Sequence, residues 1–338
     1  MINILYVTEN FQDVVRQDAL YYLEQEVGKI ANCSWAGMGW PRYRLNESID
    51  RTVRRVMPNA DWVIYFDYGA QFRDTPTDIL PKDKRNYKVA TYIVDLHRQP
   101  NKYIHRLNSS GMDAVLMTTI RLGKQIIGGP PQSISPNYYI DHLEIPFFHM
   151  PPCTNPEIYK PIAGKKQFDA SFFGANIQLY YPLRQLMWIE LPLLAEREGW
   201  KTLIRDAPPG KALNRSKSRL AREGHFVGEK YATALALSKV FLFGTSVFKY
   251  PLMKFYEGMA CGTCVMADIP LSAEELHLIP DWNFVSIDKS NWKEKLKYYL
   301  KHDNEREEIA QRGYEMVMKH HTAEVRAKQL LRFLEERS

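Results

Sequence analysis

Between Tyr250 and Asp268 the chain reads Tyr-Pro-Leu-Met-Lys-Phe-Tyr-Glu-Gly-Met-Ala-Cys-Gly-Thr-Cys-Val-Met-Ala-Asp. Its polar residues are of the types that bind phosphate and ribose. Pro251 suits the first residue of a helix and Gly262 its left-handed cap. A strand ending at Phe243, the polar turn Gly244-Thr245-Ser246 and this helix would leave free backbone N–H groups at the carboxyl edge of a sheet, where anions are favoured. Lys249, Tyr250 and Lys254 stand at the same end, and the two lysines add positive charge. Glu257, in the helix interior, offers a carboxylate that can accept two ribose hydroxyls. One element would then hold both a diphosphate and a ribose.

The rest of the chain must position that helix. Apolar runs at Ile2–Val7, Asp61–Phe66, Lys88–Val94 and Ala114–Met117, with a further one at Glu144–Phe148, read as strands, and Val14–Ile30 follows the first as a helix. Runs this continuous suit a parallel sheet covered on both faces. Five prolines between Pro146 and Pro161 mark a linker. The scheme then repeats, with strands near Ala170–Phe173, Thr202–Ile204, Val240–Phe243 and Cys264–Ala267. The segments Trp292–Leu300 and Asn304–Leu334 read as charge-laced helices. The domains are therefore placed at 1–160 and 161–322, with 323–338 as a C-terminal helix expected to pack back on the first.

Length and composition agree with two α/β domains. A chain of 338 residues exceeds the roughly 250–300 residues of a single core. Hydrophobic content of 45% and charged content of 25% exclude a mainly disordered chain. The net charge of +6 suits acidic ligands without requiring them. Seven basic residues (Lys201, Arg205, Lys211, Arg215, Lys217, Arg219, Arg222) face one acid, Asp206, between positions 201 and 222. That patch reads as a solvated loop or as a contact for a phosphate-rich donor, acceptor or nucleic-acid backbone. Four cysteines in a chain this long suggest no disulfide framework, and the opening Met-Ile-Asn-Ile-Leu-Tyr-Val reads as a strand rather than a signal n-region, so a cytoplasmic location is expected. No apolar run approaches the ~20 residues of a membrane span.

The helix at Lys254 resembles that of the GT-B glycosyltransferases, especially the group typified by the spore-maturation CgeB-like proteins. Lys254, Phe255, Glu257, Ala260, Cys261 and Gly262 carry the likeness. Phe168-Asp-Ala-Ser-Phe-Phe-Gly174 is similar to the group's domain-opening strand and glycine turn, with Arg184 in the next helix. Pro151–Pro161 is similar to its interdomain segment, and the tail through Gly313 and Arg326 to its end. The resemblance implies an α/β GT-B fold, two Rossmann-like domains facing a central cleft. It also implies a nucleotide-sugar donor, UDP- or GDP-linked, held by Glu257, Lys254, Arg184, Gly174, Thr245, Ser246, Lys249 and Tyr250. Many retaining relatives have two glutamates eight positions apart; here the position eight before Glu257 is Lys249. The resemblance implies retention of anomeric configuration, and the lack of an Asp-x-Asp element after an N-terminal strand agrees with a metal-independent reaction with no required cofactor.

In the first half, Asp95-Leu-His97 follows a strand, where α/β sheets place reactive groups, so His97 and Asp95 are the candidate catalytic pair. Glu9, Asn10, Asp67 and Tyr68 occupy equivalent edges and are candidates for the acceptor. Cys261-x-x-Cys264 lacks a second pair and reads as small buried residues at a turn, not a metal site. The acceptor stays open among glycan, protein, small molecule and DNA, the last as in phage enzymes that glycosylate hydroxymethylated bases. A catalytically silent nucleotide- or glycan-binding module is the alternative of another class.

Overall fold

The computed structural model of the protein describes residues 1–66, 79–94, 97–175, 177–208 and 216–338, apart from the side chain of Arg16. These form two compact units. Unit 1 comprises Met1–Gln12, Leu20–Pro151 and Glu324–Ser338; unit 2 comprises Asp13–Ala19 and Pro152–Ala323. The chain thus changes unit at Pro151, within the proline-rich segment, and unit 2 also takes up a short piece near the N-terminus.

Unit 1 is built on β1 (Asn3–Thr8), β2 (Asn32–Trp35), β3 (Trp62–Phe66), β4 (Lys88–Ile93), β5 (Ala114–Met117) and β8 (Phe147–His149). They form one sheet in the order β2-β1-β3-β4-β5-β8, and every pair is parallel. A small antiparallel ladder joins β6 (Lys124–Gln125) to β7 (Gln132–Ser133). The helices are α1 (Asp18–Ile30), which starts in unit 2, α2 (Ile49–Val56), α3 (Pro100–Asn108) and α4 (Tyr138–His142). Because side chains alternate across a strand, Leu5, Val63 and Val89 share one face, which Ile49 and Val53 of α2 cover. The last helix, α11 (Ala323–Glu335), lies against this sheet: the Trp62 indole donates to the Leu334 carbonyl at 3.2 Å, and Phe148 stacks on Phe333.

The expected helix from Val14 begins as a 3-10 turn at Val15–Gln17 and becomes α-helical at Asp18. The strand expected from Glu144 starts only at Phe147, because Pro146 has no N–H to give a ladder.

Unit 2 repeats the design with β9 (Phe168–Phe173), β10 (Thr202–Arg205), β11 (Ser238–Leu242), β12 (Cys264–Ala267) and β13 (Val285–Ser286), ordered β10-β9-β11-β12-β13 and all parallel. Its helices are α5 (Pro182–Glu198), α6 (Lys217–Arg222), α7 (Gly228–Ala236), α8 (Met253–Ala260), α9 (Trp292–Lys301) and α10 (Asp303–His320). Leu183, Met187 and Leu191 of α5 and Trp292 and Leu296 of α9 bury one face of the sheet over Phe172, Val240, Leu242 and Met266. The other face carries aromatic rings: Phe173 meets Tyr231 of α7 at 5.2 Å, and Phe243 meets Phe255 of α8 at 4.8 Å.

The strand order reverses between β9 and β11. In open α/β sheets that reversal opens a crevice at the carboxyl ends of the two strands, where ligands bind. Gly174 follows β9 there, and Gly244–Ser246 follow β11. The tail segment expected to be helical from Asn304 to Leu334 breaks at His321–Thr322, where Thr154 intervenes: its N–H donates to the His321 carbonyl at 3.0 Å and its carbonyl accepts from Ala323 at 2.9 Å.

Candidate functional site

Helix α8 is seated close to its sheet because of Gly258. A Cβ there would stand 2.8 Å from both the Phe241 ring and Val265 Cγ2, so any larger residue would lift the helix. Seated so, α8 turns Lys254 and Glu257, three positions apart and therefore on one face, toward the crevice side of β9 and β11.

Glu257 is only 7% exposed. The Tyr231 hydroxyl donates to its Oε2 at 3.3 Å, and the Tyr159 hydroxyl bonds the same carboxylate. Burial raises its pKa against the opposing pull of Lys254 and the two phenols. Lys254 is half-buried, its ammonium 5.5 Å over the Tyr231 ring. Burial and the neighbouring Arg184 push its pKa down to about 8, while Glu257 holds it up.

Arg184, on the first turn of α5, is 4% exposed. Its Nε donates to the Gly244 carbonyl at 2.5 Å, its Nη1 to the Ala175 carbonyl at 3.3 Å, and its guanidinium lies 4.0 Å over Tyr181. Burial lowers its pKa. Gly174 has φ +137°, and a Cβ there would come within 3.3 Å of both Arg184 Nη1 and Lys254 Cε. The absent side chain is what leaves this ground open beside two cations, Arg184 buried and Lys254 half-buried. Arg184 and Lys254 stand against the carboxylate of Glu257, and Asp268, which also acts on Arg184, is itself met by Lys249, so the balance here favours an anion.

Four other candidates form a second cluster one residue further along. Thr245 gives its N–H and its hydroxyl to Asp268, at 2.5 and 2.7 Å, and Lys249 Nζ meets the same carboxylate at 2.5 Å. Ser246 Oγ accepts from the Phe248 N–H at 3.3 Å, and Tyr250 packs against Phe248. The expectation of free N–H groups at this edge is narrowed: in the turn and the residues after it, those of Thr245, Val247, Phe248 and Lys249 are taken by protein acceptors. Helix α8 also begins at Met253, not Pro251, since the Leu271 N–H bonds the Lys249 carbonyl at 3.0 Å and keeps the approach to the helix extended.

A buried pair lies near Glu257 within the same unit. Lys217, at the start of α6, meets Asp18, and burial, with Glu257 adding to it, pushes the Asp18 carboxyl up to about 7 against the pull of Lys217. Asp18, Tyr159, Tyr231 and Asp268 were not singled out from sequence. Only Asp268 had a legible signal, an acid directly after a strand at the carboxyl edge of the sheet.

In unit 1, Asn10 follows β1; its N–H bonds the Met38 carbonyl at 2.8 Å and its side chain accepts from Gln12 at 3.0 Å. Glu9 beside it is half-buried. His97 is half-buried after β4, with its carbonyl accepting from Ile126. Asp95, Asp67 and Tyr68 lie outside the described residues. So do Lys211 and Arg215 of the basic stretch; among its described members Lys217 pairs with Asp18 and Arg219 with Glu223. Cys261 and Cys264 are buried thiols pushed up to about 12 by desolvation. Among the described residues no cluster of His, Cys, Asp and Glu has metal-binding geometry, and no helix is long and apolar enough to cross a membrane.

The sequence family described as glycosyl transferase-like matches residues 160–332, more than half of the chain. No curated protein matches the sequence significantly. Among solved structures, a sucrose-phosphate synthase from Thermosynechococcus elongatus is similar with a TM-score of 0.64 at 14% identity, covering 100% of both chains. A glycosyltransferase from Rickettsia africae is similar with a TM-score of 0.64 at 12% identity, covering 99% of this chain and 98% of that one. Anabaena HepE, solved in complex with UDP and glucose, is similar with a TM-score of 0.62 at 11% identity, covering 99% and 100%. These likenesses are of fold, two parallel α/β sheets of the GT-B kind. The chain belongs to the glycosyl transferase-like family and is an enzyme of the glycosyltransferase class.

Proposed function

We propose that the protein transfers a sugar from a nucleoside-diphosphate sugar, UDP- or GDP-linked, to an acceptor. The observation that carries this reading is the open ground at Gly174 between Arg184 and Lys254, with Glu257 one turn further along α8. Arg184 and Lys254 hold the diphosphate by charge-assisted bonds, and Glu257, aimed by Tyr231 and Tyr159, takes the ribose hydroxyls. When the bond to the anomeric carbon breaks, negative charge gathers on the leaving diphosphate. Two preorganised cations stabilise it, each worth ~3 kcal/mol by analogy with an oxyanion-hole donor.

The UDP bound in the HepE structure of similar fold supports UDP as the nucleotide. The likeness of the Lys254–Gly262 helix to the CgeB-like group supports a metal-independent, retaining reaction. His97 and Asp95 are the proposed catalytic pair of the N-terminal half.

Release of nucleotide from UDP-glucose and GDP-glucose, followed without acceptor, tests the reading. The wild type turns over one of them, and Glu257→Ala does so about 100-fold more slowly. A wild type that binds donor yet releases no nucleotide, with or without a panel of acceptors, would favour a silent binding module.

A further inference from the structure

The connection from β2 to α2 in unit 1 takes no part in donor binding as proposed, yet it leaves three large apolar side chains in water. Met38 is 54% exposed, Tyr43 38% and Leu45 76%. Arginines are interleaved with them, for Arg42 and Arg44 flank Tyr43 and both are exposed. From Arg42 to Arg55 five arginines face two acids, a net charge of +3. Both acids are already engaged, Glu47 with Arg55 and Asp50 with Arg54 at 2.9 Å.

The loop that presents these side chains is held from within. The Trp40 N–H bonds the Gly37 carbonyl at 3.1 Å, and the Tyr43 N–H bonds the Trp40 carbonyl at 3.0 Å. The half-buried Trp40 ring packs against Trp35 at 5.5 Å. Arg55 reaches back from α2, its Nη2 donating to the Arg42 carbonyl at 2.9 Å and its Nε to Glu47 at 3.0 Å. Trp40 and Arg55 therefore fix the backbone while Met38, Tyr43 and Leu45 stay outside. A surface set in this way loses little further freedom when it docks.

We infer that this loop docks the protein on the surface of a bilayer that carries anionic lipid. Guanidinium groups bind headgroup phosphates in a two-pronged way, and cations near an anionic leaflet are drawn to it. Leu45 and Met38 gain only from an apolar medium, which the acyl chains offer at the headgroup boundary. Tyr43, an apolar ring with a polar tip, suits the boundary itself. A nucleic-acid backbone would satisfy the arginines but leave the leucine and the methionine in water, and the Trp40 indole is already committed to Trp35. The core of a protein interface is depleted of charge, whereas Tyr43 and Leu45 alternate with arginines.

Flotation of the whole chain with vesicles of phosphatidylcholine, and of phosphatidylcholine mixed equally with phosphatidylglycerol, tests the inference. The wild type is expected to float with the mixed vesicles and far less with the neutral ones, and to be released as salt is raised. Met38→Ser/Leu45→Ser is expected to lower the partition about tenfold. Arg42→Gln/Arg44→Gln is expected to lower it about tenfold or more on the mixed vesicles. All four side chains are exposed, so both variants should melt close to the wild type. Arg205→Gln/Arg222→Gln, in the basic stretch of unit 2, is the control expected to leave vesicle binding unchanged. Equal loss from that control would reduce the attraction to net charge and overturn the inference. So would a wild type that floats with neither vesicle, or vesicle binding that survives both pairs of substitutions in the loop. Retention on a single-stranded oligonucleotide instead, lost with the two arginines, would assign the loop to nucleic acid and overturn it as well.

Discussion

Lys254 and Glu257 stand three positions apart on α8 and share Tyr231: its hydroxyl donates to the carboxylate at 3.3 Å while the ammonium lies 5.5 Å over its ring. One residue from another helix thus fixes the heads of both. The glutamate is braced for a hydroxylated partner, and the lysine is held half-buried beside it, where its charge is less screened than on an open surface.

That setting makes donor binding pH-dependent. With its pKa pushed down to about 8, Lys254 is charged below that pH and neutral above it. A diphosphate stays fully ionised across this range, since its last pKa is near 6. Affinity for UDP or GDP is therefore expected to be steady up to about pH 8 and to fall by up to about tenfold per unit beyond it. Lys254→Arg, which stays charged, moves the break upward; titrations between pH 7 and 10 show whether it does.

Glu257→Gln keeps the size of the side chain and one acceptor oxygen but removes the charge. If the carboxylate holds the ribose, the wild type prefers UDP to 2′-deoxy-UDP by about 1.5–3 kcal/mol, the worth of a hydrogen bond to a charged group, and the variant loses most of that preference. An unchanged ratio between the two nucleotides in the variant would place the ribose elsewhere.

Gly174→Ala combines two effects that a control separates. The backbone at φ +137° strains any residue with a Cβ, and this Cβ also enters the ground beside Arg184 and Lys254. Gly199, at φ +70° after α5, has no atom within 4 Å of its virtual Cβ. Both alanine variants are expected to lose roughly 1–3 kcal/mol of stability. Only the one at Gly174 should lose nucleotide affinity. Thermal melts with and without nucleotide distinguish the two.

In unit 1, Glu24 predicts a stability profile. It lies buried under β1, accepting from Thr8 at 3.1 Å and from the Trp35 indole at 2.9 Å, and burial pushes its carboxyl from 4.5 up to about 8. Between those values the folded state holds a proton that the unfolded chain has released. Stability therefore falls as pH rises from about 4.5 to 8, by at most ~1.4 kcal/mol per unit, and levels off above. Asp18, raised to about 7, adds a slope of the same sign between its ordinary 3.8 and that pH. Denaturant titrations of wild type and Glu24→Gln isolate the Glu24 share, and parallel curves would contradict it.

Much of this framework is legible in the residues because it is local. Val63-Ile64-Tyr65-Phe66 and Val240-Phe241-Leu242 are short, continuous apolar runs of β-branched and aromatic residues, which suit a covered parallel strand. Lys254 and Glu257 fall on one helical face by spacing alone. What stays hidden depends on distant partners. Asn32-Cys-Ser-Trp35 is too polar to read as a strand, yet it pairs with β1 at the edge of the sheet, where burial is incomplete. The stop between α10 and α11 has no proline or glycine to announce it; Thr154, far away in sequence, takes the backbone bonds. Tyr231 and Asp18 resemble ordinary helix residues until the fold sets them near Glu257. Lys249 reads as an addition to the positive end of a helix, and its turn toward Asp268 follows from a left-handed backbone that a lysine does not signal.

The most direct test is thermal unfolding of the wild type and of an Arg184→Met/Lys254→Met variant, with UDP, GDP and their glucose conjugates. A ligand held by the folded site at 100 times its dissociation constant adds about 2.7 kcal/mol of stability. The account predicts that at least one of these ligands raises the melting temperature of the wild type and that the folded double variant shows no such rise. Equal stabilisation of both proteins, or none of the wild type by any nucleoside diphosphate, would contradict it.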